Sequence, residues 1–274
     1  MTYHINYAYA CHAGKVRTNN EDNFWCCGES LPAENQGLKE IHTGMKMREN
    51  VPVMAVFDGM GGESQGEMAA YLASAEFGKY YNSHKKSLKK SPELFLQEAC
   101  QVMNEAVCRY SRENRIASMG TTVALTVFGR KNIYICNLGD SRIYLINKEG
   151  IQQISRDHVL GTYRFGKAPL TQFLGIEEEE MKLEPAVKTV EYEAGSRFLL
   201  CSDGVTDMLA EAEIMEIMER NSSVEAAAGA LLERVLEKGA RDNATIILCE
   251  IEQDTHPLRS WFLQNKKENE GDRL

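Results

Sequence analysis

The 274-residue sequence has no apolar run approaching the roughly 20 residues of a membrane span. Its first residues, Met1-Thr2-Tyr3-His4-Ile5-Asn6, lack both the charged n-region and the apolar stretch of a secretory signal. There is no excess of positive charge: 31 lysines and arginines face 40 acids, a formal net charge of -9. That balance argues against nonspecific binding to nucleic acid or to an anionic membrane. The eight cysteines include no C-x-x-C pair, and Cys136, Cys201 and Cys249 sit in apolar, strand-like runs. Buried, reduced thiols in a cytoplasmic protein are expected, rather than disulfides or a zinc site. A Ser-His-Asp set, a Gly-x-Ser-x-Gly elbow and a Gly-x4-Gly-Lys-Ser/Thr loop are also missing. No repeat or linker divides the chain, so residues 1–253 read as one domain and 254–274 as an appended tail.

What is present is a set of acids at strand ends. Val53-Met54-Ala55-Val56-Phe57 reads as a buried strand. It ends on Asp58 and a turn, Gly59-Met60-Gly61-Gly62, in which glycine permits positive φ and close approach to a ligand. A helix expected over 64–81 would aim its N-terminal amides at the same turn. Taken alone, this is an acid-capped strand-to-helix turn. Other acids repeat the placement, however. Asp203 ends a strand over 197–201, Asp242 precedes one over 244–251, and Glu21-Asp22 precedes one over 23–27. If these strands are neighbours, four or five carboxylates meet at one sheet edge, and only cations would hold them together. Oxygen-only ligation selects Mg2+ or Mn2+. Two such ions about 3.5–4 Å apart are a standard device for hydrolysing phosphate esters. Arg17, close to Glu21 and Asp22 in sequence, is placed to clamp a phosphate bidentately; a surface salt bridge is the competing reading.

The remaining pattern is α+β. Strands are expected over 3–10, 121–128, 132–138, 142–147 and 187–192, with 150–154 as a further candidate. The short connections Gly129-Arg130-Lys131 and Gly139-Asp140-Ser141 suggest an antiparallel meander, with Asp140 as hairpin chemistry. Ser91-Pro92-Glu93 starts a helix that runs to about Asn114, and 211–220 and 223–238 also read as helices. The basic stretch 83–90 and the polar stretch 32–50 read as loops. Strands in groups and helices in pairs favour antiparallel sheets covered by helical hairpins.

At these residues the sequence resembles the metal-dependent protein phosphatase 2C family, bacterial in form, from Tyr3 to about Ile251. The blocks follow in the family's order: Arg17-Thr18-Asn19-Asn20-Glu21-Asp22, Asp58-Gly59-Met60-Gly61-Gly62, Met119-Gly120-Thr121-Thr122, Gly139-Asp140-Ser141-Arg142, Asp157-His158, Ser202-Asp203-Gly204 and Asp242-Asn243-Ala244-Thr245. The resemblance implies a central sandwich of two antiparallel β-sheets flanked by helical layers. It also implies hydrolysis of phosphoserine and phosphothreonine in proteins by a water bridging two Mn2+ or Mg2+ ions. Asp58 would bridge the ions, with the Gly59 carbonyl on one and Asp203 and Asp242 completing the other. Glu21 and Asp22 would hold metal-bound waters, and Arg17 would bind the phosphate. The implied partners are phosphoproteins and a Ser/Thr kinase, and the protein is expected to be a monomer.

The sequence departs from the family in four places. His12 stands where an Asp is common before Gly14. The stretch Arg115 to Met119 offers no acid for a third ion, although Asp207 matches the other half of that site. Only Val159 to Pro169 separate His158 from Leu170, so a substrate flap is cut down. Met60 and Glu63 leave no general-acid His beside the Asp-Gly block. A phosphatase-like binding module without catalysis and a phosphatase of non-protein phosphoesters are the alternatives.

Overall fold

The computed structural model describes residues 3–61, 65–161 and 168–253. The expected tail over 254–274 lies outside them. Two six-stranded antiparallel sheets form the centre. The first is ordered β3(His42–Met47), β1(Tyr3–His12), β12(Ala244–Gln253), β11(Arg197–Cys201), β8(Arg142–Asn147), β9(Gly150–Gln153). The second is ordered β10(Ala186–Glu191), β7(Asn132–Leu138), β6(Val123–Phe128), β4(Val53–Gly61), β2(Asp22–Cys26), with β5(Met119–Thr121) paired to the far end of β4.

Side-chain alternation in the central strands explains why they read as unbroken apolar runs. On β4, Val53, Ala55 and Phe57 pack under helices α1(Gly66–Ser83) and α3(Pro92–Asn114), with Phe77 and Phe95. Met54 and Val56 point to the opposite sheet, among Phe24, Phe128 and Phe198. On β12, Ile247, Cys249 and Ile251 enter that same inter-sheet layer, while Ile246 and Leu248 meet α5(Glu211–Arg220) and α6(Val224–Glu237) through Ile214, Leu231 and Val235. Successive strand residues face opposite ways, so a strand covered on both faces has no polar positions. Three apolar layers thus separate four structural layers, helix-sheet-sheet-helix, as expected. Among the described residues no helix is long and apolar enough to cross a membrane.

Four local expectations need correction. First, β4 does not stop at Asp58. Gly59, Met60 and Gly61 continue the ladder against Thr121, Gly120 and Met119, a pairing 60 residues away that local sequence does not encode. Second, 32–50 contains edge strand β3, whose register comes from β1. Third, the basic stretch holds a short helix, α2(Lys85–Lys90), anchored by buried Leu88. Fourth, the middle strands are not one meander: β7 pairs with β6 and β10, whereas β8 pairs with β11 and β9. Gly139-Asp140-Ser141 is therefore a corner at which the chain changes sheets. Gly139 has φ +93°, and a Cβ there would meet Thr122 Cγ2 at 2.6 Å, so glycine is needed for both reasons. Pro92 occupies the first turn of α3 as expected, but the Ser91 side chain makes no capping bond; at α6, Ser223 Oγ does accept from Ala226 N at 3.1 Å.

Candidate active site

The acids of the strand ends meet at one place. A cleft of about 360 Å3 is lined by Arg17, Glu21, Asp58, Gly59, Asp203 and Asp242, together with Met60, Gly61, Thr122, Asp140 and residues 168–170. Neighbouring strands deliver them. Asp58 is on β4, Asp203 opens a helical turn, α4(Asp203–Thr206), directly after β11, and Asp242 leads into β12.

The acid-bearing walls are fixed by buried and part-buried hydrogen bonds. Thr122 Oγ1 accepts from Asp58 N at 3.0 Å, and the Asp58 carbonyl accepts from Thr122 N at 2.9 Å and Thr121 Oγ1 at 3.0 Å. Thr122 and Ser141 hydroxyls lie 2.7 Å apart, which ties the Asp140 corner to the Asp58 strand. Gly59 N donates to the Glu21 carbonyl at 3.1 Å. Gly59 packs directly against the Gly66 carbonyl at the start of α1, leaving no room for a Cβ. Buried Asn243 fastens the loop before β2: its Oδ1 accepts from Glu21 N at 2.8 Å, and its Nδ2 donates to the carbonyls of Ala13 at 2.8 Å and Asn19 at 2.9 Å. His12 Nδ1 accepts from Gly14 N at 2.8 Å, so histidine holds the loop where an acid is commoner.

The electrostatics follow from crowding like charges. Arg17 lies fork-to-fork on Asp242, Nε 2.9 Å from Oδ1 and Nη2 3.0 Å from Oδ2. Burial pushes the Glu21 carboxyl upward, with the charges of Glu67 and Asp242 adding to it against Asn19 and Arg17. Asp22 behaves differently from the reading of its block. It does not line the cleft but lies fully buried beneath it, its Oδ2 accepting from Ser202 Oγ and Thr245 Oγ1, both at 2.7 Å. Burial, and secondarily the Asp203 and Asp242 charges, hold its carboxyl up at about 7 in spite of those two bonds.

Among the described residues no three acid, His or Cys side chains stand ready as a metal cage. The donor chemistry nevertheless fits a hard divalent ion. Carboxylates of Asp58, Asp203 and Asp242 share one cleft with the Gly59 backbone, among the described residues no His or Cys lines it, and Arg17 supplies a cation at Asp242. Asp207 follows α4 and is not part of the cleft lining, so the third-ion half-site gains no support from this arrangement. The shortened flap is zipped at its base by a Val159–Leu170 bridge, with Leu160 N to Pro169 O at 2.9 Å and Thr171 N to His158 O at 2.8 Å. Its tip, 162–167, lies outside the described residues.

Sequence reasoning assigns no role to Asn243 or Thr122 and makes Asp140 hairpin chemistry. Asn243 sits in a recognised block, the one available signal. Thr122 reaches the cleft because the junction of β5 and β6 is bonded to Asp58, and Asp140 because β7 ends beside it.

A sandwich of two antiparallel sheets with carboxylates gathered at the strand ends defines a protein of the class the motifs suggest, and comparison with known proteins agrees. Residues 41–238 match the family model described as Protein phosphatase 2C, and the chain belongs to that family. Arg17, Glu21, Asp22 and Asp242 fall outside the matched span. One relative, a serine/threonine phosphatase stp of Listeria monocytogenes serotype 4b, is 28% identical over 253 residues, covering 86% of this chain and 92% of its own. The Mycobacterium tuberculosis serine/threonine protein phosphatase PstP is 26% identical over 264 residues, covering 92% of this chain and 46% of its own. The crystal structure of the PstP catalytic domain in complex with two manganese ions superposes with a TM-score of 0.74 at 26% identity, covering 92% of this chain and all of that one.

Proposed function

We propose that this protein is a Mn2+- or Mg2+-dependent phosphatase that hydrolyses phosphoserine and phosphothreonine in proteins. The observation that carries the reading is the convergence of Glu21, Asp58, Asp203 and Asp242 with Arg17 on one cleft. When bound, two such ions supply Lewis acidity that lowers the pKa of a water and offsets charge on the phosphoryl oxygens. Asp58, Asp203, Asp242 and the Gly59 carbonyl would hold them. Glu21 on the wall and Asp22 beneath it would keep water ordered around the site. The Arg17 guanidinium, turned from Asp242, presents its fork to two phosphate oxygens and orients the ester. The substrates are phosphoproteins, and a Ser/Thr kinase would generate them. We further propose a monomer whose single catalytic domain, residues 1–253, works in the cytoplasm.

The test is phosphate release from phosphothreonine and phosphoserine peptides by the full chain. Activity is expected with Mn2+, and none is expected after chelation or in Asp58→Asn and Asp203→Asn. Turnover that survives both substitutions, or that needs no divalent ion, overturns the reading. Calorimetric Mn2+ binding without turnover on several phosphopeptides would instead mark a binding module. Turnover confined to small phosphoesters would mark a non-protein substrate.

A further inference from the structure

A second concavity, of about 320 Å3, lies at the opposite end of β4. Val53 lines it and Asp58 lies five residues along the strand, a separation of roughly 17 Å at about 3.3 Å per residue. Its lining combines Cys27 with Lys46 of β3 and with Lys85 and Lys89 of α2. Three lysines around one cavity are conspicuous in a chain of net charge -9. Among the described residues none of the three is in an ion pair. Lys85 Nζ lies 5.3 Å from the centre of the Tyr81 ring, on the same cavity wall.

All eight cysteines lie in the described residues as free thiols; seven are buried, and Cys27 alone is half-buried. It sits in the turn that ends β2. Cys26 and Glu29 exchange backbone bonds of 2.9 and 3.0 Å, and the two central residues, Cys27 and Gly28, have φ of +53° and +112°. Positive φ at both central positions is the signature of a tight type I′ turn, which holds the thiol in a set place rather than on a wandering loop.

We propose that Cys27 is a modification site that forms a mixed disulfide with an anionic low-molecular-weight thiol, whose carboxylates Lys46, Lys85 and Lys89 hold in the cavity. The reaction is thiol–disulfide exchange. The Cys27 thiolate attacks one sulfur of the small disulfide, a new S–S bond forms as the old one breaks, and the other half leaves as a thiolate that takes a proton from water. Cys27 is oxidised and the departing half is reduced, so no further oxidant is needed. The local chemistry agrees: hydrogen bonding with Cys26, the Lys46 charge and the Tyr7 hydroxyl draw the Cys27 thiol below its ordinary range against the effect of burial, while burial chiefly pushes Cys11, Cys108, Cys201 and Cys249 up. The site is independent of the reaction in the cleft.

The test follows adduct formation on the reduced full-length chain by intact mass and peptide mapping, with glutathione disulfide as the anionic probe and 2-hydroxyethyl disulfide as the uncharged one. One glutathione adduct is expected, on the peptide carrying Cys27, and none in Cys27→Ser. The rate ratio of charged to uncharged probe should fall about tenfold in Lys46→Gln/Lys85→Gln/Lys89→Gln, and likewise in the unaltered protein at about 0.5 M salt. Using the ratio cancels any change in the thiol itself, and the salt arm needs no variant to fold. Prior modification of another cysteine, or a ratio insensitive to both salt and the lysines, overturns the proposal.

Discussion

Asp22 and Asp58 sit directly opposite one another in the β2–β4 ladder, yet Asp58 lines the cleft and Asp22 lies beneath it, held by Ser202 and Thr245. If Asp58 holds a metal ion as proposed, the difference would separate a ligand from a support. Asp58→Asn is expected to abolish Mn2+ binding measured by calorimetry. Asp22→Asn keeps an acceptor for both hydroxyls and should weaken binding only about 10–100-fold, as loss of an outer partner does. Equal losses would mean that Asp22 ligates directly.

Arg17 is held on Asp242 by two short contacts, and an ion bound at Asp242 would compete with that pair. Arg17→Ala should therefore leave Mn2+ affinity unchanged or tighter, while kcat/KM on a phosphopeptide falls about 10–100-fold through loss of the bidentate phosphate contact. Arg17→Lys should recover little of it, because a point charge does not replace the fork. A parallel fall in metal affinity would make Arg17 structural.

Asn243 satisfies three backbone groups of the loop that carries Arg17 and Glu21. Asn243→Ala leaves them without this partner in a buried setting. It is expected to cost about 2–4 kcal/mol in denaturant unfolding. In the folded fraction KM should rise more than kcat falls, because the loop orients substrate.

His158 is expected to give stability a pH dependence. Its Nδ1 accepts from Gly139 N at 3.2 Å, and its own N donates to the Gly139 carbonyl at 2.9 Å, so it braces the corner that carries Asp140. Burial, with Arg156 adding, holds its pKa below the ordinary value of 6.5. The unfolded chain then binds the proton at a higher pH than the folded one. The stability contribution is complete above about 6.5 and is lost as pH falls from there through the folded pKa. His158→Gln should flatten that part of a plot of unfolding free energy against pH, and an unchanged slope would remove His158 from the account.

Much of this was legible in the chain. Helix α3 declares itself through Pro92 and its apolar spacing, and β4 and β12 through their long apolar runs. The acids were legible because their chemistry is unusual at strand ends. What stayed hidden depends on partners far along the chain. Asn243 acts on Glu21 across 222 residues. The extension of β4 through Gly61 needs β5, and β3 reads as loop because its half-exposed residues borrow register from β1. Gly139-Asp140-Ser141 has the composition of a hairpin, and only the destination of β8 reveals it as a crossing between sheets.

The cleft has two kinds of wall. The acids stand on strand ends braced by buried hydrogen bonds, whereas Ala168, Pro169 and Leu170 belong to an irregular stretch zipped at its base by the bridge to Val159. If the acids carry the chemistry as proposed, chemistry and target choice would be carried by different materials, one frozen into the sandwich and the other draped over its rim. A change confined to the drape would then alter which proteins are served and leave the cutting edge in place.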